Sequence, residues 1–563
     1  MRKYNKQIIV LAALINLIAS SCKKEYFDRV PLSQITVDNF YQTTDQINAS
    51  TNLLYAAPWF GYSGKAGWSI ADLSSGNGRT YSSDVINFQD FTVTGSNFEI
   101  AAAWNSLFIE VSQANAVINN LPLRAPASID RAVVNNALGE ARLWRAMAYF
   151  HLVRIFGAVP IIENSADYTN TFQQVPRNLV TDVYKFIIND LKFAETNCYK
   201  KTRAGSYSAN ARVSSGSASA MLAKVYLYMR DYTNARAEAE KVINSGEFKL
   251  YGIDIPGKTF ADLFRTSNNN NEESIIQIQW GTTGQYGIGN PFQAAVAYNG
   301  ITGTGDGYGQ MAPTFDLQDA FDPADARRKP TIMLPGDYYA EINSAAGGYT
   351  LPADANSQGT HAQVKKYIVG TPADNGGLGG RQASVNNTYL MRYAEIYLIE
   401  AEAVMAGANS SSDPVALNAI NIIRRRAGLG PLTVINRFYS IPNPRYTYYV
   451  AGRDTTKAKP NSNVPTSVIK DDILDERRRE FAFENDFFYD LLRLDGFNVT
   501  THPKALQYMA QQDRGTSDSS NPPIRYGNQF LKATDANLVF PIPTTEIAAD
   551  PKLAEPPVPY VFK

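Results

Sequence analysis

The chain has 563 residues, too many for one ordinary core, so two or more sub-structures packed together are expected. Apolar residues make up 44% of it, a proportion that excludes a disordered chain. Lys plus Arg equals Asp plus Glu, at 53 each, and without a basic excess to displace counterions the sequence argues against a nucleic-acid partner.

Residues 1–21 read as a processing signal. Arg2, Lys3 and Lys6 give a basic start, and residues 8–18 are apolar apart from Asn16. That run is too short to span a bilayer and fits the core of a signal peptide. Ala19, Ser20 and Ser21 then lead directly to Cys22. This is the layout of a bacterial lipoprotein signal, in which the thiol of Cys22 is acylated and becomes the mature N-terminus. An ordinary secretory signal preceding a chance Cys is the weaker alternative. The other cysteine, Cys198, has no partner for a disulfide and is expected to be a small buried side chain. The expectation is a protein anchored to a membrane by lipid without crossing it.

Beyond a short polar tether, helical periodicity dominates. A mixed helical pattern runs over 37–55. Residues 104–121 carry Ile109, Val111, Ala114, Val117, Ile118 and Leu121 as an apolar stripe. Residues 138–156 put Ala141, Trp144, Ala148, Leu152 and Ile155 on one face, with Gly157 as a stop. Further helices are predicted over 176–197, 214–228 and 234–245. Leu222, Ala223, Tyr226, Ala235, Ala239 and Val242 have the spacing of a tetratricopeptide hairpin, in which small residues let two antiparallel helices approach closely. A similar spacing recurs at Ala416, Ile420 and Ile423 after a predicted helix over 390–404, where any antiparallel helix pair would serve as well.

The middle of the chain differs. Residues 274–280 alternate like a strand. Residues 281–309 and 370–380 are rich in Gly, Asn, Thr and Tyr and read as loops. Residues 436–467 lack periodicity and read as a long excursion. A last helix is predicted over 471–493, carrying Glu476, Arg477, Arg478, Arg479 and Glu480, which we read as a partly buried ion-pair network fixing helix packing rather than a phosphate site. The fold class expected is mostly α, a helical core with tetratricopeptide-like hairpins and long irregular loops carrying a few short strands.

Signals of catalysis are absent from the sequence. His151, His361 and His502 are the three histidines, and none belongs to an HExxH pair. Gly61-Tyr62-Ser63-Gly64 lacks the spacing of a nucleophile elbow, and the Gly303 to Gly309 run misses the register of a dinucleotide loop. No catalytic residue, metal ligand or cofactor is expected. Paired carboxylates of a glycoside hydrolase depend on separation in space, so an enzyme stays an unsupported alternative.

Several fragments, in order along the mature chain, resemble the SusD/RagB family of outer-membrane lipoproteins. They are Phe27-Asp28-Arg29-Val30-Pro31; Trp104 with Asn115-Ala116-Val117-Ile118; and Gly139-Glu140-Ala141-Arg142 with Phe156-Gly157-Ala158-Val159-Pro160. Met391-Arg392-Tyr393-Ala394-Glu395, Arg424 to Leu429, Glu476 to Glu480, Asp490-Leu491-Leu492-Arg493 and Pro541-Ile542-Pro543 follow. The tail, Asp550 to Pro557, departs from the family pattern. The resemblance implies an N-terminal helical region over 22–250 with tetratricopeptide-like hairpins and a C-terminal region over 251–563 with loop insertions. It implies a position on the cell surface at the outer membrane, a SusC-like TonB-dependent transporter as partner, and capture of an oligosaccharide or polysaccharide for delivery to it. Peptide capture is the alternative within the family, and a surface glycoside hydrolase the weaker one outside it. Sugar rings stack their C–H faces on aromatic rings, so aromatics in irregular segments are the candidate contacts: Trp68, Tyr81, Trp280, Tyr286 and Tyr308. Asp306, Asn77 and Arg79 are candidate hydroxyl partners.

Replacing Cys22 with Ala is expected to abolish acylation and release the protein from membranes. Fractionation of cells lacking the transporter partner tests this, and a Cys22→Ala chain still found with membranes would refute the anchor.

Overall fold

The computed structural model describes residues 40–165, 174–356, 358–446, 464–515, 525–526 and 533–562. The expected signal segment, Cys22 and the tether fall outside them. The predicted 37–55 helix is, within the described residues, a short α1 (Thr44–Ala49) and a 3-10 turn (Asn52–Tyr55). A capping box between Thr43 and Gln46 starts α1.

A second departure follows at once. Residues 60–75, which the sequence leaves as loop, form a continuous helical run containing two π-helical turns, Tyr62–Ala66 and Ser69–Leu73. Gly61, Gly64 and Gly67 depress its intrinsic helicity by roughly 1 kcal/mol each. Packing overrides that penalty: a Cβ on Gly61 would sit 3.3 Å from Ser106 Cβ, so glycine lets this run lie close on the next helix.

That helix, α2 (Phe98–Arg124), is capped by Asn97, whose side chain accepts from the N–H groups of Glu99 and Ile100. It buries Val111, Ala114, Val117 and Leu121, but Ile109 points to solvent. α3 (Arg131–Phe156) ends at Gly157, whose φ of 69° stops it as expected. α4 (Val180–Asn197), α5 (Ser215–Tyr228), α6 (Tyr232–Asn244), α7 (Tyr393–Met405) and α8 (Pro414–Arg426) follow. Each helix from α3 to α8 packs on its predecessor, the serial contact pattern of stacked helical hairpins. In the α5–α6 hairpin Leu222, Ala223, Tyr226, Ala235, Ala239 and Val242 are all buried. Ala416, Ile420 and Ile423 are likewise buried between α8 and its neighbours.

β2 (Ser274–Ile278), following a two-residue β1 (Gly78–Arg79), pairs antiparallel with β4 (Thr388–Arg392), and β1 pairs with β3 (Ala312–Pro313). β4 takes residues 388–392, so the predicted 390–404 helix starts at Tyr393. The 436–467 excursion opens and closes on an antiparallel pair, β5 (Tyr439–Pro442) with β6 (Ser467–Lys470), and its residues 447–463 lie outside the described ones. The single 471–493 helix is two: α9 (Asp472–Phe481) and α10 (Phe487–Leu492), separated by Phe483 and Asn485 in the left-handed region at φ 62° and 63°.

α9 is the hub of a buried ion network. Arg327 Nη1 lies 2.7 Å from Glu476 and 3.1 Å from Glu480. Arg392 Nη1 lies 2.7 Å from Glu273 and 2.9 Å from Glu480, and its Nε lies 2.7 Å from Glu484. Arg426 joins Glu273 at 2.8 Å and also meets Glu480. On the opposite face Arg477 pairs with Glu395 at 2.7 Å and Asp490 at 2.8 Å. Lys224 links Glu395 at 3.1 Å to Asp486 at 2.6 Å, and Arg154 reaches Asp486 at 3.2 Å. The expected ion-pair role of the Glu476–Glu480 cluster is therefore realised, with deeper burial than the sequence suggested. Burial alone would raise the Glu476 carboxyl, but Arg327, Arg479 and Arg424 outweigh it and hold the group at about 2.

The pH dependence follows from opposed groups. Burial pushes Asp72 and Glu99 up to about 7, so both take up protons in the folded state before the unfolded chain does. These two carboxyls outnumber the buried His151, which opposes them because burial keeps its imidazole neutral while the unfolded chain protonates it, so stability is expected to rise as pH falls from about 7 towards 4.5. Glu476 has its folded value depressed, so its contribution is present above about 4.5 and is lost as pH falls towards 2. Thermal melts across pH 2 to 8 check this; maximal stability at neutral pH with a steady decline below it would contradict the assignment of these carboxyls.

Candidate functional site

Exposed aromatic rings gather where five loop segments meet, around residues 80–84, 282–288, 304–310, 358–361 and 379–383. The β1–β3 pairing sets the first contact, with Gly78 opposite Pro313 and Arg79 opposite Ala312. Gly78 leaves room there for the Met311 side chain, whose Sδ would lie 2.3 Å from a Cβ and would have to move aside. The Gln358 amide then ties two segments together. Its Oε1 accepts from the Tyr81 N–H at 2.5 Å, and its Nε2 donates to the Gly309 carbonyl at 2.6 Å.

Tyr81 is 36% exposed and fixed from behind. Arg79 Nη2 donates to its hydroxyl at 2.7 Å, and the guanidinium carbon stands 4.8 Å from the ring centroid. Arg79 itself is buried, its Nη1 donating to the Arg514 carbonyl at 3.0 Å. Tyr308 is 48% exposed. Its loop hangs from the short helix Phe292–Val296 by bonds from Tyr308, Gly309 and Gln310 N–H groups to Ala294, Ala297 and Ala295 carbonyls. Gln382 Nε2 donates to the Tyr308 hydroxyl at 3.0 Å. Tyr286 is 64% exposed and packs edge-on against Phe60, with ring centroids 5.1 Å apart. Its loop lies flat on the 379–380 backbone, where a Cβ on Gly284 would come within 2.6 Å of the Gly379 carbonyl oxygen.

The other sequence candidates sit behind this face. Trp68 is not in a loop: it belongs to the 60–75 helical run, is fully buried, and donates its indole N–H to Gly64 O at 3.0 Å. Trp280 is buried at the end of β2, donating Nε1–H to Thr388 Oγ1 at 2.9 Å and backing Phe60. Asn77 is buried, accepting from Arg478 Nε at 2.9 Å and donating to Asp72. Asp306 is a loop staple, accepting from the Gln382 N–H at 2.6 Å and the Thr304 hydroxyl at 2.8 Å. Thus Arg79 and Asp306 face inward and position Tyr81 and the Gln382 that holds Tyr308, while Asn77 belongs to the buried network behind them. The sequence reading missed Gln358 and Gln382, whose single amides carry no pattern and are found only through their partners in space.

The chemistry of the face is that of contact. It offers phenol rings and side-chain amides. The nearby Asp84 is paired with Lys65; burial would raise its carboxyl, but the Lys65 and Ser82 hydrogen bonds hold it low, the reverse of what a general acid requires. His151 is buried among Trp59, Tyr62 and Arg154, and burial keeps its imidazole neutral. Among the described residues no group of three or more His, Cys, Asp or Glu could hold a metal ion, and no helix is long and apolar enough to cross a membrane.

This arrangement of stacked helical hairpins is shared with known proteins. A sequence profile described as the SusD family matches residues 249–558, and one described as starch-binding associating with outer membrane matches 25–227. The chain belongs to the SusD family. A SusD-like protein of Bacteroides ovatus is 29% identical, with all of both chains covered. The SusD-like protein P2 of Formosa agariphila is 26% identical over 90% of this chain and 94% of its own. A crystal structure containing xylogluco-oligosaccharide is similar at 27% identity and a TM-score of 0.75, covering 92% of this chain and 99% of the other. A laminarin-binding SusD-like protein shares the fold at 24% identity and a TM-score of 0.64, covering 90% and 98%.

Proposed function

We propose that the protein is a cell-surface lipoprotein that captures an oligosaccharide on the face of Tyr81, Tyr286 and Tyr308 and passes it to a SusC-like TonB-dependent transporter. The observation that carries the reading is three exposed phenol rings, each braced by protein contacts, on a chain of the SusD family. A braced ring has already lost its rotamer freedom, so stacking a sugar on it costs little further entropy. The similar structure with bound xylogluco-oligosaccharide supports a glycan as the ligand class. Gln382 and Arg381 on the same rim supply hydroxyl partners for the sugar. Capture without turnover fits a face built of rings and amides.

Binding to a polysaccharide panel, followed by titration with the best ligand, tests this. Replacing Tyr81, Tyr286 or Tyr308 by Ala should each weaken binding by about 1–3 kcal/mol. Trp68→Ala, in contrast, should destabilise the fold by about 3–5 kcal/mol, because it empties a fully buried site. Unchanged affinity in all three tyrosine variants would remove the face as the site.

The transporter reading rests on family membership and on confinement. A lipid on Cys22 would hold the body at the membrane surface and raise its effective concentration towards any barrel there. Equal numbers of basic and acidic residues give no strong pull to headgroups, so protein contacts must orient it. Gentle detergent extraction and pull-down through a C-terminal tag should recover the barrel with it. Recovery of the lipoprotein alone, where other such transporters stay intact, would make it a free-standing binder.

A further inference from the structure

The 369–382 segment ends in the aromatic face, but its earlier residues wall a separate cavity of about 1070 Å³. The floor of this cavity is apolar, formed by the buried Phe260, Phe264, Tyr339 and Ile368. Its size suits several sugar rings, and exposed lining residues, Tyr338, Leu378 and Lys329 among them, show that it reaches solvent.

Tyr338 on the rim is 49% exposed, yet it is anchored. Its hydroxyl donates to the Gly347 carbonyl at 2.9 Å. Gly348, at φ 97°, lies so close beneath the ring that a Cβ would be 2.5 Å from Cε2. The ring is thus held at its hydroxyl edge by the main chain while about half of the residue stays exposed, as a stacking platform requires. The next residue, Tyr339, carries two ammonium groups, with Lys329 Nζ and Lys365 Nζ each 5.4 Å from its ring centroid.

The charges around the cavity do not cancel. Lys365 meets Glu341 at 3.4 Å, Arg265 meets Asp262 at 3.3 Å, and Arg426 is neutralised by Glu273 and Glu480. The Asp374 carboxylate keeps its negative charge, but its oxygens are taken up by the N–H groups of Asn343, Ser344 and Thr371 and by the Ser344 and Thr371 hydroxyls, so it answers one of the two remaining cations in net charge without pairing with either. Lys329 and Lys258 make no ion pair among the described residues. A ligand group that answered them would be an anion.

We propose that this cavity is a second saccharide site, taking oligosaccharides that carry carboxylates, with a sugar ring on Tyr338 and a uronate carboxylate at Lys329. The inference does not depend on the loop face binding sugar. The full-length chain in detergent micelles, titrated with oligogalacturonate, oligoglucuronate and alginate oligomers and with methyl-esterified oligogalacturonate as a neutral probe, tests it. At least one uronate should bind, with affinity falling as salt rises. Tyr338→Ala and Lys329→Gln should each weaken it by about tenfold or more while Tyr308→Ala leaves it unchanged, and the neutral ester should bind at least about tenfold more weakly. Both side chains lie at the surface, so the variants should melt with the parent. Absence of uronate binding, or equal binding of the ester, would overturn the proposal. Loss in Tyr308→Ala without loss in Tyr338→Ala would also overturn it, placing the acidic sugar on the loop face and leaving the first reading intact.

Discussion

The constraint on which the rest of this molecule depends is the burial of the ion network around α9. Each charge removed from water costs several kcal/mol, recovered only while its partners stay in place. The partners come from distant parts of the chain: Arg154 on α3, Lys224 on α5, Glu273 beside β2, Arg392 at the end of β4, Arg426 on α8. No one of these elements can shift by a turn without stranding a buried charge. The network therefore sets the register between the N-terminal hairpins and the C-terminal half. It also explains why β4 must end at residue 392: Arg392 has to leave the strand facing Glu273, Glu480 and Glu484.

On that frame the loops are held by a different device. Helices supply the rigid body, and glycine permits close backbone approach where segments cross, as at Gly284 against Gly379. Buried amides and a carboxylate then lock segment to segment: Gln358 joins Tyr81 to Gly309, and Asp306 joins Thr304 to Gln382. Polar groups spent inward leave rings outward. Tyr81 and Tyr338, on separate surfaces, show the same construction, with a hydroxyl held by a hydrogen bond and a glycine pressed against the phenol.

Much of the helical frame was legible because periodicity reports burial directly. The stripe of 138–156 and the Ala223–Tyr226–Ala235 spacing describe side chains that one long helix or one hairpin must bury, whatever surrounds them. Where the sequence misled, a local signal met a non-local one. Three glycines hid the 60–75 helix, and with it the burial of Trp68. Continuous amphipathic charge from 471 to 493 hid the break at Phe483 and Asn485. Of the aromatics that do lie in irregular segments, Tyr81, Tyr286 and Tyr308 are exposed whereas Trp280 is core, because composition does not distinguish the two sides of a loop.

The sequence by itself determined the helical class, the hairpin spacing, the family resemblance and the charge pattern of α9, all of which are properties of neighbours a few residues apart. Only the tertiary structure decided which charges meet, which rings face water and where cavities open. Arg79 and Tyr81 are close in sequence, but their loop is fixed by Arg514 and Gln358, far along the chain. Tyr338 becomes a platform only because Gly348 folds beneath it. Such features depend on contacts between segments hundreds or tens of residues apart, whose pairing is selected by packing and charge together and leaves no periodic trace in the chain.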